Sequence, residues 1–291
     1  MSDTNTKKMK NQFRGFYFKV QNKTQTVAVI AAQHCSGDSG SSSVQVITDT
    51  GTYNIPYPME AYKQSPKGFQ LTLGENYFTE KGMNLDIDRE GIRIRGRVKF
   101  GRFSKPKYDI MGPFALLPFM ECRHTVVSLR HRVDGWINVN GEEFVFSGDT
   151  GYIEGDSGRS FPSEYSWTQC SFDRGSLMLS VADIPVGPLH FTGVIGFVLL
   201  DGTEYRIGTY LLAKPSQIRD GEIVIDQGHT RLTARLIEKN ALPLAAPVSG
   251  SMVRTIHESA SCKAFYKLSR RGRILTAFTS DRASFEYEYG E

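Results

Sequence analysis

The sequence has few cysteines, no long apolar run and little excess charge, and each shortage excludes a class of protein. Four cysteines occur in 291 residues, none of them in a CxxC pair, so we expect free thiols in a reducing compartment and no disulfide framework. No apolar run approaches the roughly 20 residues of a membrane-spanning helix, and residues 1–10 are polar, with no signal-peptide core after them. The sequence predicts a cytoplasmic protein without a spanning segment, and it leaves transient contact with a membrane surface open.

The composition is ordinary for a globular protein, with 40% hydrophobic residues, 23% charged residues and a net charge of +4. The nearest approach to a basic patch is the series Arg93, Arg95, Arg97 and Lys99. Alternate residues of a β-strand share one face, so this series is typical of the solvated side of a half-buried strand. We therefore expect no nucleic-acid partner.

Helical patterns are scarce, and 59–64 offers two turns at most. Short alternating segments such as 16–20 and 92–99 recur instead, between turn signals such as Asn140-Gly141 and Asp201-Gly202. This pattern predicts an all-β chain of antiparallel hairpins.

The chain also repeats itself, because four features of its first part recur in the same order in its second part. They are the spacing of Tyr17 to Val27 and of Trp167 to Leu177, the turns at Gly51 and Gly202, the hairpins 85–98 and 223–236, and the turns at Gly141 and Gly272. Such self-similarity indicates duplication. We predict a disordered lead-in at 1–11, a first half at 12–154 and a second half at 155–291.

Each half has too many strands to remain an open flat sheet, because exposed strand edges promote aggregation. We expect barrels or sandwiches. A barrel of about eight to ten strands can hold one small ligand, and two barrels side by side leave a further crevice between them, where ligands often bind.

The stretch 151–170 carries the most unusual combination of residues in the chain. It contains Glu154, Asp156 and Arg159 among several glycines and aromatic residues. Because glycine disfavours a helix and Pro162 disfavours a central strand, we expect most of this stretch to be a loop. It would lie at the junction of the halves and at the rim of a pocket.

Three segments resemble the tocopherol cyclase family, and the pattern is closest to its bacterial members. They are Gly-Phe-Tyr-Phe-Lys at 15–19, Pro-Phe-Met-Glu-Cys at 118–122, and Gly-Tyr-Ile-Glu with Gly-Arg-Ser-Phe-Pro within 151–162. With the intervening strands the resemblance covers about 12 to 290. It implies duplicated lipocalin-like β-barrels packed side by side, a fold shared with carotenoid hydratases and some fungal Diels–Alderases. Phe16 and Ser157 stand where the family has tryptophan, which leaves the substrate open.

The resemblance implies closure of a chromanol ring, in which a phenolic oxygen adds across a trisubstituted alkene of a prenyl chain. A carboxylic acid can protonate the alkene if burial raises the pKa of that acid. A second carboxylate or a neutral histidine then takes the phenol proton, and aromatic rings stabilise the developing cation. No metal or redox cofactor is required. A zinc site at Cys122, His124 and His131 is disfavoured, because alternate residues of one strand make a poor tetrahedral set.

The candidate residues follow from these roles. The candidate catalytic residues are Glu154, Asp156, Arg159 as a partner for one of those carboxylates, and Glu121 with His124; the candidate ligand-binding residues are Tyr17, Phe119, Tyr152 and Trp167. Each has a structural alternative: a Glu–Arg pair often ties two strands together, and a buried histidine or tryptophan often serves packing alone.

We expect a tocopherol-cyclase-like protein that binds an apolar, prenylated small molecule and cyclises a prenyl hydroquinone to a chromanol. Two alternatives stay open: a non-catalytic lipocalin-like carrier of a hydrophobic ligand, and a hydratase or isomerase on the same scaffold. A carboxylate that faces an apolar cavity favours an enzyme, whereas carboxylates paired with arginines in solvent favour a carrier. The sequence decides neither catalysis nor the oligomeric state.

Overall fold

The computed structural model describes residues 11–66, 68–117, 120–186, 189–238 and 242–289. The described residues form 21 β-strands and three short 3-10 helices, with no α-helix among them, which confirms the all-β prediction. None of these helices has the length or the apolar character needed to cross a membrane. The four cysteines are free thiols, as expected.

The first sheet is antiparallel and contains the first eleven strands. They are β1 (Gln12–Gln21), β2 (Thr26–Ser36), β3 (Ser39–Thr48), β4 (Thr52–Pro58), β5 (Tyr62–Gln64), β6 (Gln70–Leu73), β7 (Asn76–Thr79), β8 (Gly82–Arg89), β9 (Ile92–Phe100), β10 (Cys122–Val139) and β11 (Glu142–Gly158). Their order is β4-β3-β2-β1-β11-β10-β9-β8-β7-β6-β5. Two 3-10 helices, Met59–Ala61 and Gly112–Leu116, lie in its connections, so the helix predicted at 59–64 is a single turn followed by β5.

The second sheet contains the remaining strands. They are β12 (Tyr165–Phe172), β13 (Gly175–Val186), β14 (Leu189–Leu200), β15 (Thr203–Gly208), β16 (Lys214–Arg219), β17 (Glu222–Gln227), β18 (Thr230–Glu238), β19 (Leu242–Val248), β20 (Ser251–Arg270) and β21 (Arg273–Tyr287). Their order is β15-β14-β13-β12-β21-β20-β18-β17-β16, and β19 pairs with β20 beside this path. A 3-10 helix, Thr209–Leu211, follows β15.

The two sheets share one topology, which confirms the duplication predicted from the sequence. Strands β1 to β4 correspond to β12 to β15, and β8 to β11 correspond in order to β17, β18, β20 and β21. Each of the four sequence matches falls at equivalent positions. For example, the turns at Gly141 and Gly272 join β10 to β11 and β20 to β21.

Side chains alternate between two faces along these strands, and this alternation builds three apolar clusters. Each sheet curls around a core of its own, with Phe18 in the first core and Leu179 in the second. The outward faces of the strands near β1 and β12 are also apolar, and they pack against each other to form a third cluster, in which Tyr17 meets Trp167. The molecule is therefore a pair of lipocalin-like barrel halves packed side by side.

A buried lysine ties the two halves together. Lys19 of β1 is 1% exposed, and its Nζ donates to the carbonyl oxygen of Arg282 at 2.9 Å and to Ser284 Oγ at 2.8 Å, both in β21. These hydrogen bonds satisfy an ammonium group that would otherwise be costly to bury.

The basic series of β9 confirms its predicted alternation. The four basic side chains are exposed, whereas Ile94 and Val98 are buried. Arg93 lies 2.9 Å from Asp88 on the neighbouring strand β8. The series is a solvated strand face, as the sequence predicts.

The prediction of a loop over most of 151–170 is wrong. Residues up to Gly158 belong to β11 and residues from Tyr165 onwards to β12, so only a short connection lies between them. Glycine is the residue that fits at these positions of β11, because atoms of the neighbouring strands and loops occupy the space that a Cβ atom would need. A Cβ on Gly158 would lie 2.0 Å from the carbonyl oxygen of Glu121, and one on Gly155 would lie 2.7 Å from the Phe16 ring.

The two sheets divide between Gly158 and Tyr165, a few residues after the predicted junction at 154/155. The predicted lead-in at 1–11 lies outside the described residues except for Asn11. That each half is a domain in its own right stays a prediction.

Candidate active site

Strand β11 places Glu154 and Asp156 on the face that looks towards the second half. Because strand side chains alternate, Tyr152, Glu154 and Asp156 share this face, whereas Ile153 points into the first core. Glu154 is buried, at 4% exposure, and Asp156 is about three-quarters buried. The sequence predicted both carboxylates as candidates.

His124 of β10 lies between these two carboxylates. Its Nδ1 is 2.9 Å from Asp156 Oδ1, within a hydrogen bond, and its Nε2 is 3.1 Å from Glu154 Oε2. The second contact is an ion pair by its distance, although Nε2 makes no hydrogen bond of good geometry among the described residues. The register explains the arrangement, because His124 stands directly opposite Asp156.

The two carboxylates determine the protonation state of His124. Burial lowers the pKa of His124, but the charges of Asp156 and Glu154 outweigh burial and raise the pKa well above its ordinary value. The ring therefore favours its doubly protonated, cationic form, which lies between the two carboxyl groups.

Two further donors surround Glu154. The Tyr152 hydroxyl donates to Glu154 Oε2 at 2.5 Å, and Trp167 Nε1 donates to the same oxygen at 3.3 Å. Burial, reinforced by the negative charge of Glu154, raises the pKa of Tyr152 well above its ordinary value. Trp167 belongs to β12, so the second half completes the surroundings of a carboxylate from the first.

This polar group forms part of the wall of a cavity between the halves. The cavity has a volume of about 180 Å³, and its lining is mostly apolar. Both halves contribute, with Tyr17 and Ile30 on one side and Trp167 and Ile195 on the other. An acidic group therefore faces an apolar space, as an enzyme of the predicted kind requires.

Glu286 and His34 are among the polar residues of the cavity that sequence reasoning missed. Glu286 of β21 is buried and accepts a hydrogen bond from the Tyr165 hydroxyl at 2.5 Å, and His34 of β2 also lines the cavity. Glu286 stands opposite Trp167 as Glu154 stands opposite Tyr17. The duplication was the available signal for Glu286, because equivalent positions carry the two glutamates. Nothing in the sequence singles out His34.

The other predicted residues are placed as follows. Tyr17 and Trp167 line the cavity, and Tyr152 packs beside it in the cluster between the halves. Arg159 lies 4.0 Å from Glu121, and both side chains are largely exposed; Arg159 is therefore paired with Glu121, not with Glu154 or Asp156 as expected. Phe119 lies outside the described residues.

The same three residues are also the candidate metal ligands of the described structure. His124, Glu154 and Asp156 each offer one donor atom, and these three atoms lie within 4.8 Å of one another. Each histidine nitrogen faces a different carboxylate, so the ring bridges the two as a cation. A metal ion would need one of those nitrogens deprotonated and both carboxylates gathered beside it. His131, the third member of the zinc set that the sequence disfavours, packs elsewhere, against Phe100 and Phe103.

Comparison with known proteins adds the family. Residues 15–184, more than half of the chain, match the family described as tocopherol cyclase-like. The chain belongs to the tocopherol cyclase-like family. A similar curated protein is a probable tocopherol cyclase of the chloroplast from Oryza sativa subsp. japonica, 25% identical over 126 residues. That match covers 41% of this chain and only 27% of the rice protein.

Solved structures agree on the tocopherol cyclase-like fold. An AttH protein from Nitrosomonas europaea has a TM-score of 0.55 at 10% identity, covering 97% of this chain and 93% of its own. Kievitone hydratase from Nectria haematococca has a TM-score of 0.56 at 8% identity, covering 96% of this chain and 89% of its own. At such identities the likeness concerns the fold alone. The family match and these two structures therefore agree on one scaffold of paired antiparallel sheets.

Proposed function

We propose that this protein binds an apolar, prenylated phenol between its halves and closes it to a chromanol by adding a proton to an alkene. The observation that carries the proposal is the position of His124, buried between Asp156 and Glu154 at the wall of a mostly apolar cavity. Carboxylates paired with arginines in solvent would have favoured a carrier. The buried pairing with a histidine favours acid–base chemistry.

The proposed reaction is balanced and returns the site to its starting state. The His124–Asp156 pair supplies the proton that it shares to the less substituted alkene carbon. This step leaves a tertiary carbocation at the neighbouring carbon. The phenolic oxygen attacks this cation and forms the ring C–O bond. The phenol proton then returns to the His124–Asp156 pair, so the conversion is an isomerisation.

The surrounding residues have supporting roles in this proposal. Glu154 holds the second edge of the His124 ring, and Tyr152 and Trp167 hold Glu154 through hydrogen bonds. The faces of Trp167 and Tyr17 are close to the polar group, where aromatic rings stabilise a developing positive charge. Little water fits beside a ligand in a cavity of this size, so a carbocation would be captured by the phenol.

The size of the cavity limits the part of the ligand that is enclosed. A cavity of roughly 150 Å³ holds one benzene molecule, and this cavity measures about 180 Å³. The aromatic ring and the first alkene fill it, so the remainder of a prenyl chain extends out of the site. A ligand with a short chain, such as geranyl hydroquinone, is therefore a suitable probe.

Incubation of the purified protein with geranyl hydroquinone in D₂O tests the proposal. We expect a chromanol that carries one deuterium on the carbon derived from the less substituted alkene position. His124→Gln and Asp156→Asn should lower turnover by at least about a hundredfold, the range of general acid–base catalysis. His131→Gln, at a buried histidine outside the cavity lining, is the matched control and should retain turnover.

Each other outcome identifies a different function. Binding without any product would support the carrier. A tertiary alcohol in place of the chromanol would support a hydratase, the activity for which the Nectria haematococca neighbour is named. Full turnover in His124→Gln and Asp156→Asn would remove these residues from the acid role.

A further inference from the structure

A second histidine faces the cavity, and the proposed reaction does not use it. His34 of β2 is 5% exposed and lines the cavity. Its Nδ1 is buried and makes no hydrogen bond of good geometry within the described part of the chain, although the Gln33 carbonyl lies near the ring. A buried polar atom without a partner is unfavourable, so a group on a bound ligand is the natural partner for this nitrogen.

The ring of His34 is neutral, unlike that of His124. Burial lowers the pKa of His34 to about 4, against a smaller opposite effect of the Gln33 carbonyl. A neutral imidazole has one nitrogen that donates and one that accepts. It can therefore pair with a hydroxyl group, which also donates and accepts, and the surroundings do not favour an anionic ligand.

The strand register gives the position of His34 relative to the proton donor. Asp156 stands opposite Gly15 of β1, and Gly15 stands opposite Ala32 of β2. His34 follows Ala32 by two residues and so points from the same face. Two strand spacings and two residue rises put the Cα atoms of His34 and Asp156 about 12 Å apart. The small residues Gly15 and Ala32 lie between them and leave the space above the sheet open.

We propose that His34 binds a hydroxyl group of the ligand at the end of the cavity remote from His124. The proposed reaction returns the phenol proton to the His124–Asp156 pair, so His34 is not needed as its acceptor. The separation matches instead a second polar group across the aromatic ring. The proposal rests on the proposed function for the class of ligand, but not on turnover.

A pair of ligands and a set of variants test this assignment by isothermal titration calorimetry at neutral pH. The ligands are geranyl hydroquinone and 2-geranylphenol, which lacks only the hydroxyl remote from the reacting one. We expect the wild-type protein to bind the hydroquinone about tenfold more tightly, the value of one well-made hydrogen bond. His34→Leu should bind both ligands equally, with its affinity for 2-geranylphenol unchanged.

Two further variants separate ligand recognition from a structural role. His34→Gln keeps a side chain that donates and accepts, so it should retain part of the preference for the hydroquinone. His131→Leu changes a buried histidine outside the cavity lining and should retain all of it. An equal loss of affinity for both ligands in His34→Leu, or an undiminished preference, would overturn the assignment.

Turnover distinguishes failure of this assignment from failure of the proposed function. A preference that depends on His34, without any chromanol, leaves the assignment standing and refutes the cyclase. If chromanol forms but the preference for the hydroquinone does not depend on His34, the cyclase stands and the assignment of His34 is refuted. If neither ligand binds the wild-type protein, both are refuted.

Discussion

His124 and Asp156 stand directly opposite each other on β10 and β11, with His124 Nδ1 2.9 Å from Asp156 Oδ1. Glu154, two residues before Asp156 on the same face, reaches the other ring nitrogen. Two adjacent strands thus produce a histidine held on both edges by carboxylates. The pairing follows from register and from the alternation of side chains, so it is formed without a ligand.

The first prediction concerns stability at alkaline pH. The pKa of His124 is raised in the folded protein, so its contribution to the free energy of unfolding is complete below about pH 6.5. It is lost as the pH rises from there through the folded-state value. Urea unfolding between pH 6 and pH 9 should show this decline in the wild-type protein and a flatter profile in His124→Gln. Identical slopes would refute the ionised bridge.

The second prediction concerns the acid side and has the opposite sign. Burial lowers the pKa of His131 to about 3, so the unfolded chain takes up a proton below about pH 6.5 and the folded chain does not. The free energy of unfolding should therefore fall with decreasing pH, by about 1.4 kcal/mol per pH unit for this group. Urea titrations from pH 6.5 to pH 4 should give a smaller slope for His131→Gln. An unchanged slope would contradict the burial of a neutral ring.

The third prediction concerns the donors to Glu154. Tyr152→Phe and Trp167→Phe each remove one hydrogen bond to Glu154 while keeping an aromatic ring. We expect kcat for chromanol formation to fall roughly tenfold in each, since one hydrogen bond is worth about that factor, with little change in ligand affinity. Trp136→Phe, at a half-exposed tryptophan on β10, serves as control. Weaker binding with normal kcat would assign both residues to the ligand instead.

The fourth prediction concerns the end of β11. A Cβ on Gly158 would lie 2.0 Å from the carbonyl oxygen of Glu121, whereas one on Gly37, at φ +61°, would meet nothing within 4 Å. Gly37→Ala should cost about 1–2 kcal/mol for its left-handed backbone, and Gly158→Ala should cost more, because β10 must move away. Equilibrium unfolding in urea measures both. Equal costs would mean that the strands separate easily at this point.

Much of the fold follows from the sequence, because a strand periodicity of two and repeated turn signals are local properties. The matches around Gly51 and Gly202, or Gly141 and Gly272, fall at equivalent turns of the two sheets. The error lay in 151–158, where glycines were interpreted as loop residues. Glycine in a strand can also mark a close approach of neighbouring atoms, and Phe16 and Glu121 make that approach here.

The candidate site was predicted in its residues but not in its arrangement. The sequence singled out Glu154, Asp156 and His124, whereas the histidine between two carboxylates depends on a register that joins residues more than 30 positions apart. Arg159 was expected beside these carboxylates, but it lies after the end of β11 and its side chain is largely exposed. Predicting that His34 lines the cavity would have required the same strand register, extended across β1 to β2.

The hydrogen bonds of Lys19 bear on how a ligand enters. Swinging the halves apart would pull this ammonium away from the Arg282 carbonyl and Ser284, and stranding a charge in that way costs several kcal/mol. Lys19 therefore opposes a hinge motion that would widen the gap between the halves. A ligand that is too thick for the gap between the halves is then disfavoured by its shape, whatever its chemical groups.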